Sequence, residues 1–276
     1  MLKAIKCFIF SNIYVSLCIT LLLYKSFVIL NLTPNIHQIG LIFFGTLIIY
    51  NFQRFYRLSK SNLQNTNERL AWYLKNKRLI YGILVFSILT VGYKIFFINS
   101  FQISILLLLA LISVLYVIPF FKIKNKTYAL RQIPYLKIFV ISLVWAALLT
   151  IFILPSIKEV NYQVLMYLME RFVFILAITI PFDIRDLNYD KENNIKTIPQ
   201  LIGIKKAVFL SILFLIISYA INYFLFYESI NWLFYSFIFL LEIIIILNTI
   251  KKKNELFYSG IVEGIMVLDF FAVLNF

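Results

Sequence analysis

Three aspartates, Asp183, Asp186 and Asp190, fall within PFDIRDLNYDKENNIKTIPQLIG (181–203), directly after an apolar run, and the chain has only one other, Asp269. Their i, i+3, i+7 spacing puts them on one face if the segment is helical. Like charges so placed repel by about 0.2–0.5 kcal/mol per pair, so gathering them calls for a cation. Carboxylate oxygens suit Mg2+, which takes one or two carboxylates together with phosphate oxygens of a substrate. The stretch fits a site for a magnesium-bound diphosphate. A solvated loop whose acids are balanced by Lys191 and Lys196 accounts for the same spacing, and spacing alone leaves both readings open. Other metal chemistry has little to work with: His37 is the only histidine, and Cys7 and Cys18 form no C-x-x-C pair.

The elements that must position these acids are membrane helices. The 276 residues are 62% hydrophobic with mean hydropathy +0.92, against about 45–50% apolar in soluble domains. Apolar runs predict nine spans, at 8–30, 38–57, 79–98, 101–121, 135–154, 162–182, 206–227, 230–250 and 256–275, in one domain covering 1–276. In lipid such runs must be helices, because a lone strand leaves its backbone groups unpaired. The first run follows lysines as a signal peptide does, but it is too long, and Tyr24-Lys25-Ser26 is a poor cleavage site, so it reads as a retained span.

Of the 26 lysines and arginines, all but Lys25, Lys94, Lys158 and Arg171 fall at the N-terminus or in every second connection. By the positive-inside rule this predicts a cytoplasmic N-terminus and an outer C-terminus. It also explains the net charge of +14 without a nucleic-acid partner. The basic connections are the longer ones, which places the chemistry at the cytoplasmic face of a multi-pass protein, expected in a bacterial cytoplasmic membrane.

The aspartate stretch resembles the second aspartate-rich motif of the UbiA superfamily of membrane prenyltransferases. Asp183, Arg185, Asp186, Asp190, Thr197, Ile198, Pro199 and Gly203 match in register, with Asn194 where glycine is usual. Asparagine is the next-best residue for a left-handed turn. Tyr116, Pro119 and Lys122 are similar to a second, shorter segment of the family. The resemblance implies an all-α polytopic fold, nine transmembrane helices around a cavity open to the cytoplasm. It implies transfer of an isoprenyl group from its diphosphate to an aromatic or other lipid-like acceptor, with Mg2+ as cofactor. Asp183, Asp186 and Asp190 would be the catalytic metal ligands, and Arg185, Lys122, Arg54 and Asn51 the diphosphate contacts.

The family's first motif, N-D-x-x-D, is where the chain departs. Asn51 aligns with its asparagine, but Phe52 and Phe55 take both aspartate positions, and residues 1–182 contain no aspartate. Either Arg54 or Arg57 replaces a metal on the phosphate, since a guanidinium binds phosphate in a fixed fork, or the site has decayed and the protein binds isoprenoid or lipid without chemistry. Charges inside the spans (Glu170, Arg171, Glu242, Glu263, Asp269) should pair in the interior, Arg171 with Glu242 or Glu263, as an interhelical clamp.

Overall fold

The computed structural model describes residues 2–60, 68–123, 126–226, 231–251 and 253–273, without the side chains of 2, 57–60, 122–123 and 126–127. Long apolar runs become helices, as backbone pairing in lipid demands. In chain order these are α1 (Leu2–Phe10), α2 (Ile13–Ile29), α3 (Ile36–Lys60), α4 (Glu68–Lys75), α5 (Lys77–Lys94) and α6 (Ser100–Leu115), then α7 (Leu136–Thr150), α8 (Tyr162–Arg185), α9 (Leu187–Glu192) and α10 (Ile198–Ile202). After them come α11 (Ile204–Phe226), α12 (Trp232–Leu247), a π-helical turn (Phe257–Val262) and α13 (Ile265–Phe271).

Among the described residues, α3, α5, α8, α11 and α12 with its following turn to Ile250 are each long and apolar enough to cross a membrane, and α1 and α2, bent by 58° at their break, are so when taken together. The shorter apolar helices α6 and α7 and the divided last run are the differences from nine uniform spans. The first predicted span is broken at Asn12, which takes φ 70° and spends its amide on other elements: Nδ2 donates to Asn51 Oδ1 at 2.8 Å, and Oδ1 accepts from Arg69 Nη2 at 2.6 Å. The fourth predicted span, 101–121, stops at Leu115. Pro119 cannot continue a helix, and the chain turns into a hairpin of β1 (Phe121–Ile123) and β2 (Lys126–Tyr128), with Phe121 opposite Tyr128, which among the described residues is the exception to the all-helical expectation.

Helix neighbours run α5–α3–α2–α13–α12–α11–α8–α7–α6, a ring with α2 also touching α7, while α5 and α6 make little contact. At one end the chain makes short turns with asparagine caps: Asn99 opens α6, Asn161 opens α8 and Asn231 opens α12, each accepting a backbone N–H of the first turn. Asn99 and Gln102 also donate to the carbonyls of Pro155 and Leu154, tying two of these turns together. The opposite end carries the longer connections, the hairpin and the aspartate stretch.

The intramembrane charges pair differently from expectation. Arg171 binds Glu170, its neighbour, through Nε and through Nη2 at 2.6 Å, and Asp269 Oδ2 through Nη1 at 2.7 Å, rather than Glu242 or Glu263. Lys25, from α2, meets Asp269 Oδ1 at 2.6 Å. Glu170 Oε1 further accepts from Ser218 at 2.5 Å and Asn222 at 2.9 Å. The clamp thus joins α2, α8, α11 and α13. The partner is Asp269 because α13 packs on α2, which sequence spacing does not reveal.

Candidate active site

A cavity of about 410 Å3 lies inside the ring. Its walls follow the helices from an apolar body to a polar end. Along α3 they pass from Leu41 and Ile42 to Gln53 and Arg54, and along α8 from Ile175 and Ile178 to Asp183, Arg185 and Asp186. Along α7, which runs the other way, they pass from Lys137 to Val144, Trp145 and Leu148. The polar end is therefore the end with the long connections.

Asp183 is 1% exposed and lines this end. Lys137 Nζ stands 2.7 Å from its Oδ1, an ion pair without hydrogen-bond geometry, and donates to Asp190 Oδ2 at 2.9 Å. Asp190 is 2% exposed, does not line the cavity and is joined to it through Lys137. Two local devices bring these groups together. The helix breaks at Asp186, and α9 then carries Asp190 back toward α7. Asn194 takes the left-handed turn expected of it, φ 55°, after which the Lys196 carbonyl accepts from Tyr135 N at 3.0 Å. Tyr135, itself at φ 62°, starts α7 two residues before Lys137. In the sequence Lys137 is one of the connection lysines that set the topology. Its position at the very start of an apolar run, after Pro134, was the available signal.

Asp186 faces the cavity but is held by Arg185, Nε to Oδ1 at 2.8 Å and Nη2 to Oδ2 at 3.1 Å. Arg185 also reaches Glu255 Oε1 at 3.4 Å. From the other side α4 sends in Arg69, 2% exposed, which donates to Ser259 Oγ at 2.9 Å and lies 3.7 Å from Glu255. Burial lowers the pKa of Arg69, against the pull of Glu263 and Glu255, and an arginine so placed stays charged. No motif links Arg69 and Glu255 to the aspartate stretch, and the sequence marks Glu263 only as a charge inside the last span.

Arg54 is half-buried and lines the polar end. Asn51 does not line the cavity. It is fully buried, accepts from Asn12 and Tyr73, and donates to the carbonyls of Leu47 at 2.8 Å and Ser11 at 3.4 Å. Its amide is consumed in locking α3 to α1, α2 and α4, and burial raises the pKa of Tyr73 so that its hydroxyl remains the donor. Phe55 stacks on Tyr81 with centroids 5.1 Å apart. The α3 wall thus offers Gln53 and Arg54 to the cavity and no carboxylate. Lys122 falls in β1, and its side chain, like that of Arg57, lies outside the described residues.

The donor set can be tested against magnesium. Asp183 and Asp186 face the cavity, and two carboxylates suffice when a diphosphate supplies the other oxygens. They fit one such ion. Among the described residues no three metal-binding side chains converge, and the α3 wall has nothing to hold a second ion.

Neither a protein-family model nor a curated protein matches the chain. Among solved structures it is similar to digeranylgeranylglyceryl phosphate synthase, at 14% identity and TM-score 0.56 over 99% of this chain and 98% of that one. It is also similar to the apo form of a UbiA homolog from Aeropyrum pernix K1, at 11% identity and TM-score 0.59 over 94% of this chain and 93% of that one. The chain therefore has, from end to end, the helical membrane fold of a UbiA homolog and of digeranylgeranylglyceryl phosphate synthase.

Proposed function

We propose that the protein is an integral-membrane transferase that moves an isoprenyl group from its diphosphate to a hydrophobic acceptor. The observation that carries this reading is one cavity with a long apolar body and a polar end lined by Arg54, Arg69, Lys137 and Arg185 beside Asp183 and Asp186. That is the shape and charge order of an apolar tail ending in a diphosphate. Magnesium, held by Asp183 and Asp186, would supply charge neutralisation for the departing diphosphate. The arginines orient the phosphates with forked hydrogen bonds. Lys137 holds the end of α8, through Asp183, against the start of α7 and keeps the buried carboxylates compensated. The apolar walls exclude water, and Tyr50 and Trp145 add aromatic rings to the wall, which favour positive charge on the prenyl carbon.

A second reading, binding without chemistry, is favoured by one observation: Phe52 and Phe55 stand where acids are expected, and Asn51 is used structurally. Purified protein incubated with Mg2+, labelled prenyl diphosphates of increasing length and phenolic acceptors separates the two. Prenylated product is expected. Tight binding without product supports the second reading, and failure to bind any prenyl diphosphate sinks both.

Arg54→Ala should weaken prenyl diphosphate binding by about 1.5–3 kcal/mol, roughly ten- to a hundredfold. Arg54→Lys should recover only part, since a point charge lacks the planar fork. Full recovery by lysine, or wild-type affinity in the alanine variant, would mean that Arg54 only sets topology. The polar end is proposed to face the cytoplasm. With Asn193→Cys and Lys158→Cys, both exposed positions, an impermeant thiol reagent on intact cells should label only the cysteine at 158. Labelling at 193 alone reverses the orientation.

A further inference from the structure

One carboxylate at the polar end is left unused by the head-group contacts above. Glu263 lines the cavity and is 6% exposed, and its Oε2 accepts no hydrogen bond. Among the described residues it has no ion pair. The charges acting on it most strongly are those of Arg69 on α4 and Arg185 on α8, then Glu255 and Arg54 on α3. Tyr14 and Cys18 of α2 and Tyr50 of α3 also lie within its field. A carboxylate within the field of three arginines, and ion-paired with none of them among the described residues, gives up most of its solvation, a cost that marks it for a use.

Its placement comes from the backbone. Glu263 N donates to the Tyr258 carbonyl, five residues back, at 3.1 Å. This π-helical turn shifts the face that the last segment presents, and such turns recur at functional sites. Gly264 makes the turn possible: a Cβ there would stand 2.9 Å from both the Gly260 carbonyl oxygen and the Tyr14 hydroxyl. Met266, about one turn further, lines the apolar body. Glu263 thus stands where the polar end meets the apolar body, beside the arginines that would hold the diphosphate. In the proposed substrate pose that boundary is the position of the prenyl carbon bonded to oxygen.

We infer that Glu263 is the base that takes the proton released by the acceptor. The inference rests on the transferase reading. The bond between the prenyl carbon and the diphosphate oxygen breaks, and its electron pair leaves with the diphosphate. The acceptor's nucleophilic atom, a ring carbon or a hydroxyl oxygen, bonds to that carbon with its own pair. The proton it then sheds passes to the Glu263 carboxylate and on to solvent with the product. No oxidant or reductant is involved.

The test uses the full chain in detergent or bilayer discs, with Glu263→Gln and Glu263→Asp. Affinity for a prenyl diphosphate with Mg2+ is measured separately from transfer to a phenolic acceptor across about pH 5–9. Glu263→Gln should bind within about twofold of wild type but transfer at least a hundredfold more slowly, the lower range for loss of a general base. Wild-type kcat/KM should fall on the acid side as the base is protonated, and the glutamine variant should lose that limb. Glu263→Asp, a shorter carboxylate, should restore part of the rate and the limb with it. Transfer by Glu263→Gln within a few fold of wild type, or parallel loss of binding and transfer in both variants, overturns the assignment. If wild-type protein binds prenyl diphosphate but transfers to no acceptor, the transferase reading itself fails, and Glu263 as its base with it.

Discussion

Lys137→Met is expected to destabilise the protein by about 3–5 kcal/mol and to abolish prenyl diphosphate binding, because removing one partner of a buried ion pair leaves an uncompensated charge. Here one ammonium compensates two carboxylates, Asp183 and Asp190, which are 1% and 2% exposed. Methionine keeps most of the length and none of the charge. Without the cation, the end of α8 and α9 must separate or take up protons, and Asp183 leaves the cavity wall. Thermal unfolding in detergent reads the stability, and calorimetric titration with a prenyl diphosphate reads the site. Adding Asp190→Asn to Lys137→Met should return part of the stability, since one buried negative charge is then removed, a coupling expected for residues in direct contact. If Lys137→Met unfolds and binds as wild type does, Lys137 holds neither aspartate in place.

Arg171→Leu should cost a similar amount, about 3–5 kcal/mol, by the same physics. It strands Glu170 and Asp269 in the interior, with Lys25 left to compensate Asp269 alone. The distinguishing readout is affinity. None of Arg171, Glu170, Asp269 and Lys25 lines the cavity, so the folded fraction should bind prenyl diphosphate as tightly as wild type. Arg171→Lys should recover less than half of the loss. The guanidinium contacts two carboxylates at once and lies 4.7 Å from the Phe174 ring centre, a geometry a point charge cannot repeat. A stable Arg171→Leu variant would show that the clamp contributes nothing. Loss of binding at full stability would place the cluster in the site.

The comparison between sequence and structure turns on what is local. Membrane helices were legible because hydropathy is a property of a run, and a backbone in lipid has little choice but to coil. The aspartate stretch was legible for the same reason. Its spacing and the left-handed turn at Asn194 are set within some twenty neighbouring residues, and Asp183, Arg185 and Asp186 line the cavity, whereas the break at Asp186, which takes Asp190 off their helical face, left no such mark. The end of α6 at Leu115 was missed because apolar residues continue past it, while Pro119 and the hairpin decide the boundary.

What the chain alone determined, then, is an apolar helical protein with its long basic connections at one end and an acidic stretch among them. Tertiary structure decided which side chains meet there. The helices that build the cavity are apolar nearly all round, so their rotation about their own axes leaves no amphipathic mark in the sequence. Rotation is settled by packing, and packing turned Asp190 onto Lys137 rather than into the cavity. It also used up Asn51 in a helix lock, brought Arg69 in from α4, and set Glu263 at the cavity wall through a π-helical turn. Pairs such as Lys137 with Asp190 or Lys25 with Asp269 lie 53 and 244 residues apart in the chain. At that separation no spacing rule operates, and only the order of helices around the ring brings opposite charges within reach.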